Sequence, residues 1–402
     1  MFQRFKAYLK KMGPAWIISA VACGPATLAS VSTAGARYSY HLLWVVVLSA
    51  VFGTTAQYLA AKIGVVSGTG IIRATEEHLG KTWAWILTID ALIATWLAAI
   101  VLMSALSGIT SILTGIDTPF WGVFFGVLIG GLLVGGGYKW FESLCKLLVA
   151  CVVLCFVIVL FISNLDSAEV MHGLVPRFPG GMESAMLSAA IMGGAVHVTI
   201  IGMHTYNVNA RSWKITDLGL ARFDTVLSMG LAFGLYSVAI FLVSAAVLHP
   251  NQVSVKSATD AALALAPLLG NNAMTIFMIG LFTAAFSTIS PTFLAGAFFL
   301  ADKMRWPLTV KDRRFSGVIL FGCLLSMLGP FIKTGFYLLL PLMLALGLTG
   351  TPVIIAIILY LLNKTELRKC APNSFFINAM GLLTLLVTTF LAVRFVITKL
   401  SG

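Results

Sequence analysis

Two short stretches of this 402-residue chain hold its most chemically capable side chains: Gly24-Pro25-Ala26-Thr27, and His197-Val198-Thr199 with His204 two turns beyond. Both lie inside runs otherwise apolar enough to cross a membrane. Glycine and proline interrupt a helix, so the first stretch frees backbone amides and carbonyls at mid-membrane depth. Freed groups are tolerated there only where they line a cavity or bind something. The second half of a broken helix starts with unpaired N–H groups at the positive end of its dipole, a setting that suits an anion. Thr27 and Thr199 offer hydroxyl donors, and His197 offers either ring nitrogen or, when protonated, a charge. His197 has a second reading as a packed histidine bonded to a neighbouring helix, although intramembrane ionisable groups are functional by default.

The elements that carry these residues follow from composition. Hydrophobic residues make up 59% of the chain and charged residues 10%, and the mean hydropathy is +0.99. That is a polytopic membrane protein, and its apolar segments are too long for the ~10-residue strands of a barrel. Helical spans are predicted at 14 to 35, 42 to 66, 83 to 113, 119 to 135, 144 to 163, 185 to 206, 223 to 248, 274 to 300, 315 to 332, 335 to 362 and 373 to 397. The fold class is therefore all-α, with eleven transmembrane helices. Span one lacks a small-residue cleavage site and is expected to stay in the membrane rather than serve as a signal peptide.

A lone Gly-Pro is more often a packing kink than a site. The sixth span, however, contains "MGGAVHVTIIGMHTYN", with a glycine pair at 193 and 194, and it lies five helices after the first. Matched interruptions in successive five-helix halves point to an inverted repeat with a midplane substrate site. The division is a first repeat over 14–163, a loop over 164–184, a second repeat over 185–362 and a last helix over 373–397. Gly122, Gly126 and Gly130, and the run Gly135 to Gly137, read instead as close helix packing and a turn.

Charge sets the expected orientation. If residues 1–13 are cytoplasmic, only Arg37, Arg177, Lys256, Lys333, Arg394 and Lys399 of the 26 Lys and Arg fall on the other side. The bias places the N-terminus inside and the C-terminus outside, in a bacterial inner or plasma membrane. The net charge of +12 is spread over short loops beside anionic headgroups, so the lipid bilayer is its partner and nucleic acid is not. The six cysteines form no CxxC pair, which argues against a metal, redox or disulfide framework. No soluble catalytic domain, P-loop or zinc-peptidase motif is present, so neither an enzyme nor a cofactor is expected. A secondary transporter of a small molecule or ion, coupled to H+ or Na+, remains, with a channel or a transport-dead sensor as the other class.

The sequence resembles the NRAMP family of metal-ion transporters along nearly its whole length. The likeness is carried by "GPAWIISAVACGPATLASVSTAGARYSYHLLWVVVLSA", by "LVPRFP" before span six, and by "DAALALAPLLG" followed by "IFMIGLFTAAFSTISPTFLAGAFFLADKM". The resemblance implies a LeuT-like architecture of five plus five helices and one more. It also implies where this chain departs. The family's Asp-Pro-Gly-Asn in helix one is Gly24-Pro25-Ala26-Thr27 here, and its Met-Pro-His in helix six is His197-Val198-Thr199. His204 matches a later family histidine. The family's acidic pair on helix three falls on Trp96 and Ala99, with Asp90 two turns earlier, and a helix-ten Gln becomes Gly350.

A divalent cation leaving water needs anionic or several strong oxygen, nitrogen or sulfur ligands. Gly24, Thr27, His197 and Thr199 supply no negative charge, although backbone carbonyls and His197 stay in reserve for a metal. The expected substrate is a small anion, either bicarbonate or a compact carboxylate such as an amino acid or 5-oxoproline. The alternative is a proton-coupled Mn or Mg transporter. Asp90, Thr95 and His204 are coupling or pathway candidates. Arg37 either draws anions to the outer mouth or snorkels to the headgroups.

Overall fold

The computed structural model describes Tyr8 and residues 13–135, 151–163, 165–332 and 334–401. The first basic cluster (Arg4, Lys6, Lys10 and Lys11), the turn at Gly136 and Gly137, Lys139, Cys145, Lys146, the start of the expected fifth span and Lys333 lie outside them.

Helices dominate, and proline and glycine decide where the first is cut. Helix α1 (Pro14–Ala22) ends where Cys23 N–H bonds Ser19 O at 2.8 Å and Gly24 N–H bonds Val21 O at 3.1 Å. Gly24 is extended at φ −73°, ψ 178°, and α2 (Pro25–Tyr38) then starts on a proline whose missing N–H would have had no helical partner in any case. A 3-10 turn, Ser39–Leu42, leads into α3 (Leu43–Ser67). The chain continues through α4 (Ile71–Leu79), α5 (Lys81–Thr114), α6 (Phe120–Gly135), α7 (Cys151–Ile162) and a short α8 (Ser167–Gly173) inside the expected 164–184 loop.

The second interruption falls at His197, three residues after the glycine pair. Helix α9 (Met182–Val196) runs through Gly193 and Gly194, and the chain turns extended at His197 (φ −67°, ψ 139°) before α10 (Val198–Ala210). The glycines permit contact instead. A Cβ on Gly193 would run into the Leu344 carbonyl, and one on Gly194 would lie 2.5 Å from Thr27 Oγ1. Small residues thus bring the two broken helices together.

Helix α11 (Ile215–Leu248) contains π-type turns at Val226–Phe233 and Ser244–Leu248. After short helical turns over 258–272 come α12 (Ala273–Met304), α13 (Arg313–Ser326), α14 (Phe336–Leu348), α15 (Thr351–Asn363), α16 (Thr365–Cys370) and α17 (Phe375–Ser401). The expected tenth span is bent between α14 and α15, where Pro352 removes a helical donor. By length and composition, eight helices among the described residues can cross a membrane, while Phe120–Gly135 and Cys151–Ile162 are apolar but shorter. Among the long helices, Met182–Ala210 is 89% buried over its most apolar window and Phe375–Ser401 only 33%, so the second broken span is central and the last helix peripheral.

Around the broken spans, α5 packs along α12, α9 along α14, and α3 against both α9 and α10. Gly122 and Gly126 of α6 abut Pro330 and Met327, as close packing requires. At the end of the bundle that carries Lys81 and Lys303, α4 is tied down by charge. The Asp302 carboxylate accepts from Arg73 N–H (3.1 Å) and Tyr206 O–H (3.0 Å), and Glu76 pairs with Lys303.

Candidate functional site

Between the two interruptions lies a cavity of about 50 Å³, room for a small ion with some water or for a compact polar molecule. Its wall takes Gly24, Pro25, Ala26 and Thr27 from the first break, and Gly194, His197, Thr199 and Ile200 from the second. Ala98 and Leu102 of α5, Thr288 and Thr292 of α12, and Met343 and Leu344 of α14 close it.

Hydrogen bonds have already claimed much of the backbone that the breaks release. Thr27 Oγ1 donates to Ala22 O at 2.7 Å, Tyr236 O–H donates to Gly24 O at 3.4 Å, and Thr351 Oγ1 donates to Val196 O at 2.6 Å. The carbonyl ends of both leading half-helices are thereby engaged. The amide ends are less so. Pro25 has no N–H, no side chain caps α2, and its first helical bond runs from Leu28 N–H to Gly24 O. The amides of Ala26 and Thr27 therefore precede the first bonded turn, at the positive end of the helix.

The second break caps itself. His197 Nδ1 accepts from Thr199 N–H at 3.3 Å and lies 2.8 Å from Thr199 Oγ1. An Nδ1 that accepts from an amide places the neutral ring's proton on Nε2, an assignment made from the bonding network. The ring lies so close to α14 that a Cβ on Gly347 would overlap it. The hydroxyl protons of Thr27 and Thr199, expected to point at a ligand, are spent on Ala22 O and on His197. Their lone pairs remain, as does Thr288 Oγ1, which has no partner among the described residues.

Gly24 to Thr27, His197 and Thr199 thus share one wall, whereas the other sequence candidates lie elsewhere. His204 is fully buried with Nδ1 2.9 Å from Gln57 Oε1 of α3. Thr95 is buried against Gly296, and its hydroxyl has no partner among the described residues. The Asp90 carboxylate occupies the space that a side chain at Gly350 would fill, beside the α14–α15 bend, and its buried Oδ2 is unpartnered among the described residues. Arg37 pairs with Glu183 at 3.3 Å at the far end of α2.

Sequence reasoning missed Thr292, Met343 and the α5 wall. The signal for the first was present: Thr288 and Thr292 stand four apart, hence on one helix face. Nothing in the sequence singles out Met343 among 15 methionines. Among the described residues no group of three His, Cys, Asp or Glu side chains is placed to hold a metal ion. The soft donors on the wall are His197 and the Met343 thioether.

The model of the family described as natural resistance-associated macrophage protein-like matches residues 15–398. The divalent metal cation transporter MntH of Caldanaerobacter subterraneus subsp. tengcongensis is 28% identical over 302 residues, which is 72% of this chain and 71% of that protein. A crystal structure of a mutant of the Eremococcus coleocola manganese transporter superposes with a TM-score of 0.78 at 17% identity, covering 96% of this chain and 86% of the other. The nucleobase-cation symporter MHP1 superposes at 0.63 with 15% identity, covering 95% and 92%. The fold is therefore the LeuT-like one shared by these structures.

Proposed function

The chain belongs to the natural resistance-associated macrophage protein-like family of multi-pass membrane transporters, and on that premise we propose that it is a secondary transporter whose central cavity takes a small anion, bicarbonate or a compact carboxylate. The observation that carries this reading is the charge character of the cavity wall. Among the described residues no carboxylate lines it, and Ala26 and Thr27, at the uncapped start of α2, form part of its wall. A carboxylate would meet that helix end with the His197 ring beside it. Three carbonyls at the breaks, those of Ala22, Gly24 and Val196, already accept from Thr27, Tyr236 and Thr351.

A second reading keeps a divalent cation as substrate. It is favoured by one observation of the site, the pairing of the His197 imidazole with the Met343 thioether on the same wall, since soft donors suit transition metals. The names of the MntH relatives agree with it.

A thermal-shift panel separates the two. Purified protein is compared with Mn²⁺, Mg²⁺, bicarbonate, acetate and 5-oxoproline at fixed pH and ionic strength. A ligand at a hundred times its Kd stabilises by about 2.7 kcal/mol. A saturable shift with an anion alone is expected; a shift with Mn²⁺ that is lost in Met343→Ala and His197→Ala overturns the anion reading.

The orientation proposed with this function has the N-terminus in the cytoplasm and the C-terminus outside a bacterial inner membrane, on the strength of the basic-residue bias. Coupling to H+ or Na+ is proposed with it, and Asp90, whose Oδ2 is buried, and the buried His204 are two ionisable groups proposed for that task.

A further inference from the structure

The outer end of α2 opens on a pocket of about 400 Å³ lined by Arg37, His41, Arg177 and His249, with Tyr38, Phe178 and Pro179. A neighbouring pocket of about 430 Å³ shares Arg37 and His249 and adds Thr33 and Glu183. Among the described residues no carboxylate lines the first pocket, and Glu183 beside it is paired with Arg37. Arg177 makes no ion pair among the described residues. Its backbone is fixed all the same: Arg177 O accepts from Trp44 Nε1–H at 3.1 Å, and Phe178 meets the Trp44 ring edge-on at 4.9 Å. His41 Nδ1 donates to Tyr38 O and His249 Nδ1 donates to Ala36 O, so both rings are held in place at the pocket wall. Behind this wall Arg394 donates to Pro179 O at 2.6 Å and lies over the Phe178 ring. Three of the six basic residues assigned to the outer side, Arg37, Arg177 and Arg394, therefore gather at one place.

The pocket and the cavity lie along one helix, α2. Thr27 on the cavity wall and Arg37 in the pocket are ten residues apart on α2, about 15 Å along its axis. Ser30 and Thr33 lie between them, both buried. We propose that this outer pocket is a capture site for a carboxylate-bearing substrate, held by Arg177 and Arg37 before it passes along α2 to the central cavity. The proposal rests on the anion reading of that cavity.

Uptake of radiolabelled 5-oxoproline and acetate into proteoliposomes tests it, with KM, kcat and the salt dependence of KM measured for wild type, Arg177→Gln, Arg177→Lys and His197→Ala. Removing a positioned surface cation weakens steering and capture, so Arg177→Gln is expected to raise KM about fivefold and flatten its salt dependence, with kcat preserved. Arg177→Lys should restore most of the KM. Uptake that depends on His197 but has the same KM and salt slope in Arg177→Gln overturns the capture site and leaves the anion reading standing. Absence of carboxylate uptake by wild type, alongside His197-dependent Mn²⁺ uptake, overturns both.

Discussion

His197 combines two roles that substitution can separate. Its Nδ1 caps α10 by accepting from Thr199 N–H, while its Nε2 edge is seated against Gly347 and the residue forms part of the cavity wall. Asparagine caps a helix as well as any residue, and alanine does not, at a cost of about 1 kcal/mol. His197→Asn is therefore expected to keep wild-type thermal stability and lose saturable uptake, whereas His197→Ala loses both; uptake by the asparagine variant at the wild-type rate would take the imidazole out of the site. Gly347→Ala offers a check from the other side. Its new Cβ overlaps the ring, so uptake should fall at least tenfold while the protein still elutes as a monodisperse species, because steric displacement of a positioned group by about 1 Å is enough to cost that much.

Among the helices, the contact of Asp90 with the α14–α15 bend converts a sequence difference into a packing rule. The position where the resembling family carries Gln is Gly350 here, and the vacated space holds the Asp90 carboxylate of α5. Gly350→Gln should destabilise the protein by about 2 kcal/mol through overpacking. The double variant Asp90→Ala with Gly350→Gln should recover most of that loss, and additive effects in the thermal melts would show the two positions uncoupled. Helix α4 makes a pH prediction. The hydrogen bond from Lys303, with Arg305 nearby, holds the Glu76 carboxyl below the usual carboxylate range. A depressed carboxyl stabilises the fold above its unfolded pKa of about 4.3 and loses that contribution as pH falls through the lower folded value. Solvent screening at this end of the bundle keeps the contribution small. Glu76→Gln should therefore melt earlier than wild type at pH 7, by about 1 kcal/mol at most, and the two should converge below about pH 4. A gap that persists in acid would assign the effect to shape rather than charge.

For the whole molecule, the arrangement of charge across the bilayer is the property most open to direct test. Cys370 is exposed at the end of α16, in a loop that also carries Lys364, Arg368 and Lys369 and that the basic-residue bias places in the cytoplasm. In a variant retaining only this cysteine, a membrane-impermeant maleimide should label inside-out vesicles and spare right-side-out ones. The reverse pattern would invert the proposed topology, and with it the assignment of the Arg37 and Arg177 pocket to the outside.

What the sequence determined by itself was local and compositional. An apolar content of 59% demands helices in a bilayer, and Gly24-Pro25 breaks one because proline lacks a donor and clashes with the turn before it. His197 and Thr199 stand out as polar exceptions in an apolar run, and the neighbouring Gly193 and Gly194 serve contact with Leu344 and Thr27 rather than the break itself. The tertiary structure alone decided which polar groups meet. Thr95, His204 and Asp90 resemble the cavity residues in type and depth, yet each points into a different seam between helices, against Gly296, Gln57 and Gly350. Thr292 and Met343 reach the cavity from helices far away in the chain. Helix rotation and crossing fix such meetings, and these depend on how distant surfaces interlock rather than on the residues next door.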